Sequence, residues 1–509
     1  MPEYRYVEFP DAKVFDENDK RKQVNHVLFG DWVRLESKPR SGWVKVRVRG
    51  TTGQMKVEDL RKDRVLEVVF TDVGQGDGCL VVTPQDKHIV IDAGASDNMH
   101  RFLKWRYAGF KRKWTFESAV LTHPDLDHYE GFRKLFEEEN VHFKHVYHNG
   151  IMEERAGGSK ALGAKKKMGG RWHLTELLQT KADLKRFLSD TVRWKKGNSI
   201  KKYASLLDLA LKSGRVEDIS MLHAEASGEP KYLPGYGPDK ELQIQVLGPL
   251  VERDDNGKPT LRVFGPKPTS RSFDKGKTKN GHSVIFLLRF GDVRLLFGGD
   301  LNTSAEAFLL QHYADLDFDW PWSANEEQEI VDAASEKLGC DIAKACHHGS
   351  ADFLDAFLRA TNAAVTVVSS GDEESHAHPR PDTLGAIGLH GRGWRPLLFS
   401  TELMRSTRED EGTIPIEIGR YRQKLEDETD PAKRKQLKEA LDTLVDKLLE
   451  RNVTVYGSIN LRTDGRNTIL AYKLEKERQY GRAITKWDVY PLTRSGNGPL
   501  SYKPDGASY

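Results

Sequence analysis

The sequence predicts an α/β protein with a small all-β piece at its N-terminus and helical insertions in its body. Three observations predict this. From Val65 onward, short runs rich in Val, Ile, Leu and Phe recur and are separated by stretches with helical apolar spacing. Residues 27–60 instead alternate polar and apolar positions, broken by Gly and Pro turn signals. Two charged stretches, 144–240 and 415–451, interrupt the strand pattern and read as a basic helical insertion and a helical hairpin.

Taken in order, Val27–Phe29, Asp31–Leu35 and Gly42–Val48 read as short strands of a small β-barrel, expected over 1–62. The main domain is expected over 63–485. Val65–Phe70, Cys79–Val82, His88–Ile91 and Ser118–Leu121 have buried-strand character and are joined by turns at Gly74, Gly76, Gly78 and Pro84–Asp86. From Asn140 to about Pro238 no strand is evident, and Leu174, Leu177, Leu178, Leu184, Phe187, Leu188, Leu206, Leu207 and Leu211 are spaced for helices. Strands are expected again at Leu242–Leu247, Ser283–Phe290, Val293–Phe297 and Ala364–Ser369. Asp430-Pro431 breaks the 415–451 segment into two helices. Thr454–Leu461 and Thr468–Lys473 read as closing strands, and 486–509 as a C-terminal tail.

Composition excludes several classes. The 509 residues include 10 Trp, 21 Phe and 16 Tyr, too many aromatics for a chain that stays unfolded. No apolar run approaches the roughly 18 residues of a membrane span. The first twenty residues lack an apolar core behind a basic start, so no secretory signal is expected and a cytoplasmic location follows. Cys79, Cys340 and Cys346 are too few for a disulfide framework and are expected as thiols.

The residues that carry chemistry begin at Leu121-Thr122-His123-Pro124-Asp125-Leu126-Asp127-His128, which directly follows a strand. Two His and two Asp within six residues of a loop can turn inward together, and imidazole and carboxylate suit Zn²⁺, Mn²⁺ or Fe. The bland alternative is a polar loop that starts a helix. Three further segments end or begin apolar strands with similar groups: Gly298-Gly299-Asp300, Cys346-His347-His348-Gly349 and Asn280-Gly281-His282-Ser283. Cys346 is expected to face away from His347 on a strand and to pack in the interior.

Together these segments resemble the metallo-β-lactamase fold, and within it the soluble hydrolase domain of ComEC-type DNA-uptake competence proteins. The resemblance also rests on Asp72-Val73-Gly74-Gln75-Gly76-Asp77, Ile91-Asp92-Ala93-Gly94 and His378-Pro379-Arg380-Pro381-Asp382. It implies a four-layer αβ/βα sandwich with two divalent metal ions, Zn or Mn, at one edge of the sheets. Carried over, His123 and Asp125, with His282, hold the first ion. Asp127, His128 and one of His347 and His348 hold the second, and Asp300 bridges. His347 is favoured as the ligand, leaving His348 near the substrate. Asp127, His348 and His378 are the residues assigned to catalysis, and Asp92 and Asp72 support the ligands from behind. The activity implied is phosphodiester hydrolysis by hydroxide generated between the two ions. The N-terminal segment, through Gly30-Asp31-Trp32-Val33 and Gly42-Trp43-Val44-Lys45-Val46, resembles a bacterial Src-homology-3-like module.

The net charge of +3 conceals an uneven distribution. Residues 144–202 hold 15 Lys and Arg against 5 Asp and Glu, and residues 258–280 hold 7 against 1. Lys165, Lys166, Lys167, Arg171, Lys195 and Lys196, interleaved with Trp172, His173 and Trp194, are the expected nucleic-acid contacts. A solvated helix face is the alternative. The function expected is a metal-dependent nuclease or phosphodiesterase acting on DNA or RNA. The rivals are hydrolysis of a small phosphodiester, such as a cyclic nucleotide or choline phosphate ester, and a binding module without catalysis. A protein partner is expected, if any, at the barrel or the hairpin, and no membrane contact is expected.

Overall fold

The computed structural model describes residues 3–157, 160–265, 274–371, 377–401, 414–450, 457–494, 496 and 498–502. Two large sheets dominate it. The first has ten strands, in the spatial order Val216–Met221, Val141–His148, Trp114–Leu121, His88–Ala93, Gly78–Val82, Leu66–Phe70, Ile459–Thr463, Thr468–Tyr480, Ala483–Arg494 and Leu500–Tyr502. The second has seven: Lys231–Tyr232, Leu242–Gly248, Ile285–Phe290, Val293–Phe297, Ile342–Lys344, Val365–Val368 and Leu397–Ser400.

Period-2 alternation explains how the sheets pack. Val68 and Phe70, Cys79 and Val81, and Ile89 and Ile91 point into a core shared with Phe286, Leu288, Leu295 and Phe297 of the second sheet. The intervening Val69, Leu80, Val82 and Val90 point the other way, onto Met99, Phe102, Leu103, Phe132 and Leu206 of helices. On the second sheet, Leu287 and Leu296 likewise meet Leu309, Leu310, Ile330 and Phe357 of outer helices. The result is helix, sheet, sheet, helix. Most of these side chains are buried, and each contributes about 1.5–3 kcal/mol by leaving water.

The N-terminal piece is a seven-stranded antiparallel sheet that already begins at Glu3–Val7. Its core is aliphatic: Val7, Val14, Val27, Val33, Val44, Val46 and Met55. Trp32 is 60% exposed and stacks on Tyr4 with ring centroids 4.5 Å apart. This sheet is fastened to the large domain by charge and by pairing. Arg462 is buried and donates to Asp31 Oδ1 at 2.6 Å, the Phe29 carbonyl at 2.8 Å and Glu67 at 3.1 Å. Gln23 Nε2 also donates to the Ile484 carbonyl at 2.6 Å.

Several expectations are corrected. The stretch 144–240 is not a purely helical insertion, because Val141–His148 and Val216–Met221 are parallel strands of the ten-stranded sheet. Its helices are Lys181–Ser189, Thr191–Trp194 and Lys202–Lys212. The presumed tail contributes Ala483–Arg494 and Leu500–Tyr502 to the same sheet, so the large domain does not stop at 485; residues 503–509 lie outside the described ones. The first closing strand runs Ile459–Thr463, and 454–456 lie outside the described residues. The hairpin is seen as Ile414–Asp427 and Pro431–Glu450, with residue 451 outside them. Cys79, Cys340 and Cys346 are free thiols. Among the described residues, no helix is long and apolar enough to cross a membrane.

Candidate metal centre

The site forms where loops leave the carboxyl ends of parallel strands, the edge at which sheets of this kind bind ligands. From the first sheet, His88–Ala93 ends in Asp92, and Trp114–Leu121 runs into Thr122 and His123. From the second, Val293–Phe297 leads to Asp300 and Ile342–Lys344 leads to His347 and His348. Asp92, His347 and His348 all adopt left-handed backbone, with φ of 55°, 47° and 54°. Such strain persists in non-glycine residues only where the surroundings impose it, commonly at functional sites. Gly76 is required for a different reason: at φ +104°, a Cβ there would lie 1.7 Å from the Asp127 carbonyl.

Asp300 is the hub. Its Oδ2 lies 3.2 Å from His128 Nε2, 3.3 Å from His348 Nε2, 3.7 Å from His123 Nε2 and 3.9 Å from His347 Nε2. His123, His128, His348 and Asp300 are all buried. Each inner imidazole is oriented through its far nitrogen. His128 Nδ1 lies 2.8 Å from Asp92 Oδ2, and Asp92 also accepts from the Thr122 N–H at 2.8 Å and the Thr122 hydroxyl at 2.6 Å. His348 Nδ1 lies 3.0 Å from Asp77 Oδ1 and 3.1 Å from the Ser369 carbonyl. His123 Nδ1 faces Thr122 Oγ1 at 3.1 Å and Ser283 Oγ at 3.3 Å. This network assigns a proton to Nδ1 in all three rings and turns each Nε2 toward Asp300, as metal sites require.

Among the described residues, one group of His and Asp has the spacing of a metal site: Asp77, His128, Asp300 and His348, with one ligand atom each within 4.8 Å of the others. Asp77 is already engaged, however, by the Lys344 ammonium as well as by His348 Nδ1. We therefore place Asp77 behind His348 and count His123 among the inner groups. His123 Nε2 and Asp300 Oδ1 are buried without a hydrogen-bond partner, as is Asp77 Oδ1, whose contact with His348 Nδ1 at 3.0 Å is an ion pair. Buried nitrogen and oxygen atoms without partners, beside oriented imidazoles, fit a divalent ion of the zinc or manganese kind.

Electrostatics agree. Burial alone pulls the His348 imidazolium down, but the Asp300 and Asp77 carboxylates outweigh it and hold it at about 10. His128 is likewise raised well above its ordinary value by Asp300 and Asp92 against burial. His123 goes the other way, driven down by burial and by its neighbour His128. Protons thus compensate the buried carboxylates, and an ion bound in the cluster would take their place.

The remaining expected residues lie as follows. Asp127 Oδ2 is 3.6 Å from His348 Nε2, at the rim. Asp125 Oδ2 is 3.8 Å from His123 Nε2, and its other oxygen pairs with Lys279. His378 stands beside the His pair, its ring 5.5 Å from that of His347. Asp72 accepts from the Gly74 N–H at 3.2 Å and so shapes the loop that delivers Asp77. His282 does not join the site. Its Nε2 donates to the Arg262 carbonyl at 2.5 Å and its ring stacks on Phe264, which burial and this bond make a structural role.

The order of His347 and His348 also reverses. The strand ends at Lys344 and Cys346–Gly349 form a tight turn, so strand alternation does not govern these side chains. His348 is the nearer to Asp300 and buried, while His347 is partly exposed. Sequence reasoning missed Asp77, Lys279, Lys344 and Glu153. Asp77 closes the glycine-rich Asp72–Asp77 segment on which the resemblance already rested, a carboxylate after glycines like the one that marked Asp300.

The basic residues lie on β-hairpins rather than on a helix. Lys165–Met168 pairs with Arg171–Leu174, and Lys195–Lys196 with Ser199–Ile200. Lys166, Lys167, Arg171, Lys195 and Lys196 are exposed, Lys165 half-buried. Of the expected stacking aromatics, only Trp172 is available. His173 is buried against Glu252, and Trp194 is buried with its N–H on the Leu188 carbonyl. Lys165, Arg171 and Trp172 line a cavity of about 1510 Å³ together with Lys277, Phe308 and Trp320, and Glu154, Glu176, Asp190, Asp319 and Asp352 line it as well. Lys267 and Arg271 of the second basic stretch lie outside the described residues.

Compared with known protein families, residues 72–333 match the Metallo-beta-lactamase superfamily. No curated protein matches the chain.

Proposed function

The chain belongs to the metallo-beta-lactamase superfamily, whose members are mostly metal-dependent hydrolases, and from that premise we propose a metal-dependent phosphodiesterase that acts on polynucleotides. The observation that carries the substrate class is the basic hairpin Lys165–Leu174. It lines a large cavity to which Trp172 and Trp320, both exposed, also contribute. Cationic side chains follow a phosphate backbone, and exposed indoles stack bases without reading sequence. The helix Lys275–Gly281 sends Lys277 into this cavity and Lys279 toward the metal centre, so the two are neighbours. The further kinship to the ComEC-type hydrolase domain is part of the same proposal.

Within the centre, His123, His128, His348 and Asp300 would hold a divalent ion, Zn²⁺ or Mn²⁺. Bound there, the ion supplies water activation at neutral pH and charge stabilisation on the phosphoryl group. Asp92 and Asp77 keep His128 and His348 in the tautomer that offers Nε2. In this reading His347 and His378, whose rings lie 5.5 Å apart, hydrogen-bond a phosphoryl oxygen and pass a proton to the leaving oxygen. Asp127, at the rim beside His348, orients the attacking water.

Salt dependence tests the substrate class. Single-stranded oligonucleotide binding should weaken with ionic strength with a log–log slope of roughly −2 to −3, for three or four phosphates neutralised at about −0.7 each. The double variant Lys167→Glu, Arg171→Glu should flatten that slope and raise KM for the oligonucleotide about tenfold. A slope near zero, with efficient turnover of a cyclic nucleotide or a choline phosphate ester, would assign the site to small phosphodiesters instead.

A further inference from the structure

We propose that the Lys279 ammonium takes the place of one of the two divalent ions expected from the sequence, so that the centre holds a single ion beside a cation supplied by the chain. This rests on the reading of the site as a metal centre and concerns how many ions it takes. Lys279 is 6% exposed, deep for a lysine, and sits on Lys275–Gly281, a helix capped by the Asp274 side chain on the Lys277 N–H. Its Nζ pairs with Asp125 Oδ1 and with Glu153 Oε1 at 2.7 Å, and reaches the Pro124 carbonyl at 3.4 Å. A buried ammonium is tolerated only when paired in this way.

Asp125 is thereby occupied on both oxygens. Oδ1 faces Lys279, and Oδ2 accepts from the Asn280 amide at 2.8 Å when that amide is turned to suit its neighbours. Glu153 is no freer, since Lys201 and Lys275 lie 3.2 and 3.1 Å from it in addition to Lys279. A second divalent ion on Asp125 would sit against a fixed positive charge with little water between, where like charges repel strongly. Asp300 presents the opposite picture: imidazoles surround it, and one of its oxygens is buried without a partner. The two ends of the presumed binuclear site are therefore unequal. One end offers unpaired donor atoms, and the other already contains a cation.

The test is the number of ions per chain. The full chain is stripped with a chelator, reloaded with Mn²⁺, freed of excess ion and assayed by elemental analysis, with electron paramagnetic resonance to detect coupling. One ion with the spectrum of an isolated Mn²⁺ is expected. Two ions, or an exchange-coupled pair, would overturn the proposal and leave the phosphodiesterase reading standing; no bound ion would remove both. Lys279→Met is expected to raise the count from one to two and Lys279→Arg to keep it at one, and a count of one in the Met variant would count against Lys279 as the occupant. Asp125→Asn is expected to retain its ion, whereas loss of the ion would show Asp125 to be a ligand. The wild-type count and the Asp125→Asn count decide the matter even if Lys279→Met fails to fold.

Discussion

Replacing Asp300 by Asn is expected to abolish metal retention and to lower turnover by roughly 10³-fold or more. The change is nearly isosteric, so the fold is expected to survive it. What it removes is the negative charge at the centre of four imidazoles, whose Nε2 atoms lie 3.2 to 3.9 Å from Asp300 Oδ2. An amide binds a divalent ion far more weakly than a carboxylate, and the neighbouring carboxylates are either engaged or, like Asp127 with its Oδ2 3.6 Å from His348 Nε2, stand at the rim. Asp77 is held by Lys344, Asp92 by His128 and Thr122, and Asp125 by Lys279. Elemental analysis and phosphodiester turnover, with circular dichroism as the control for folding, check this. An Asp300→Asn protein that keeps both its ion and its turnover would remove Asp300 from the centre.

The largest effect on stability is expected far from the site, at Arg462→Met, which should destabilise the chain by about 3 kcal/mol. Arg462 and Asp31 are each only 2% exposed in their side chains. Removing one guanidinium leaves Asp31 with Arg49 alone and Glu67 with Arg106 alone. It also strands the Phe29 carbonyl at the junction between the N-terminal sheet and the large domain. The apolar part of that junction, Leu28, Phe29, Val65, Ile469 and Ala471, stays in place, so the loss is a cost in free energy rather than a separation of parts. Denaturant unfolding of both proteins measures it.

The pH dependence of that loss gives its sign. Burial pushes the Asp31 carboxyl up, and Arg49 and Arg462 more than reverse this, holding it at about 2. A depressed carboxyl stabilises the folded state above its unfolded pKa of about 4, and the contribution fades as pH falls toward the folded value. The gap between wild type and Arg462→Met should accordingly narrow from about pH 4 to pH 2. A gap that stays constant over that window would mean that Arg462 acts through packing, not through the carboxylates.

What the sequence disclosed depended on whether a residue's role was local. His123, Asp125, Asp127 and His128 stand together in one loop, and Asp300 and His347-His348 each follow an apolar strand, so a linear reading finds them. Lys279 and Lys344 gave no such signal. A lysine looks solvated in a sequence, and only the carboxylates opposite it, Asp125 and Asp77, make its burial possible. His282 was misjudged for the converse reason: its position before a strand was read correctly, but its ring is turned to the Arg262 carbonyl.

The same distinction holds for the fold. Val65–Phe70 and Val293–Phe297 are buried on both faces and nearly all apolar, hence obvious as strands. Val141–His148 carries His and Lys at four of its eight positions, three of them half-buried, and Val216–Met221, the edge strand, carries Glu and Asp that remain accessible. Ala483–Arg494 looked like a tail for a related reason. Its Trp487 and Val489 are covered by Leu28 and Phe29, more than 450 residues away in sequence, and no local window contains that contact.

The most direct test is turnover of a phosphodiester by the full chain before and after removal of metal. Treatment with a chelator should abolish hydrolysis of both bis(p-nitrophenyl) phosphate and a single-stranded oligonucleotide, and Mn²⁺ or Zn²⁺ added back should restore it. Hydrolysis that survives metal removal, or a metal-loaded protein that cleaves neither substrate, would contradict a metal-dependent phosphodiesterase built around Asp300.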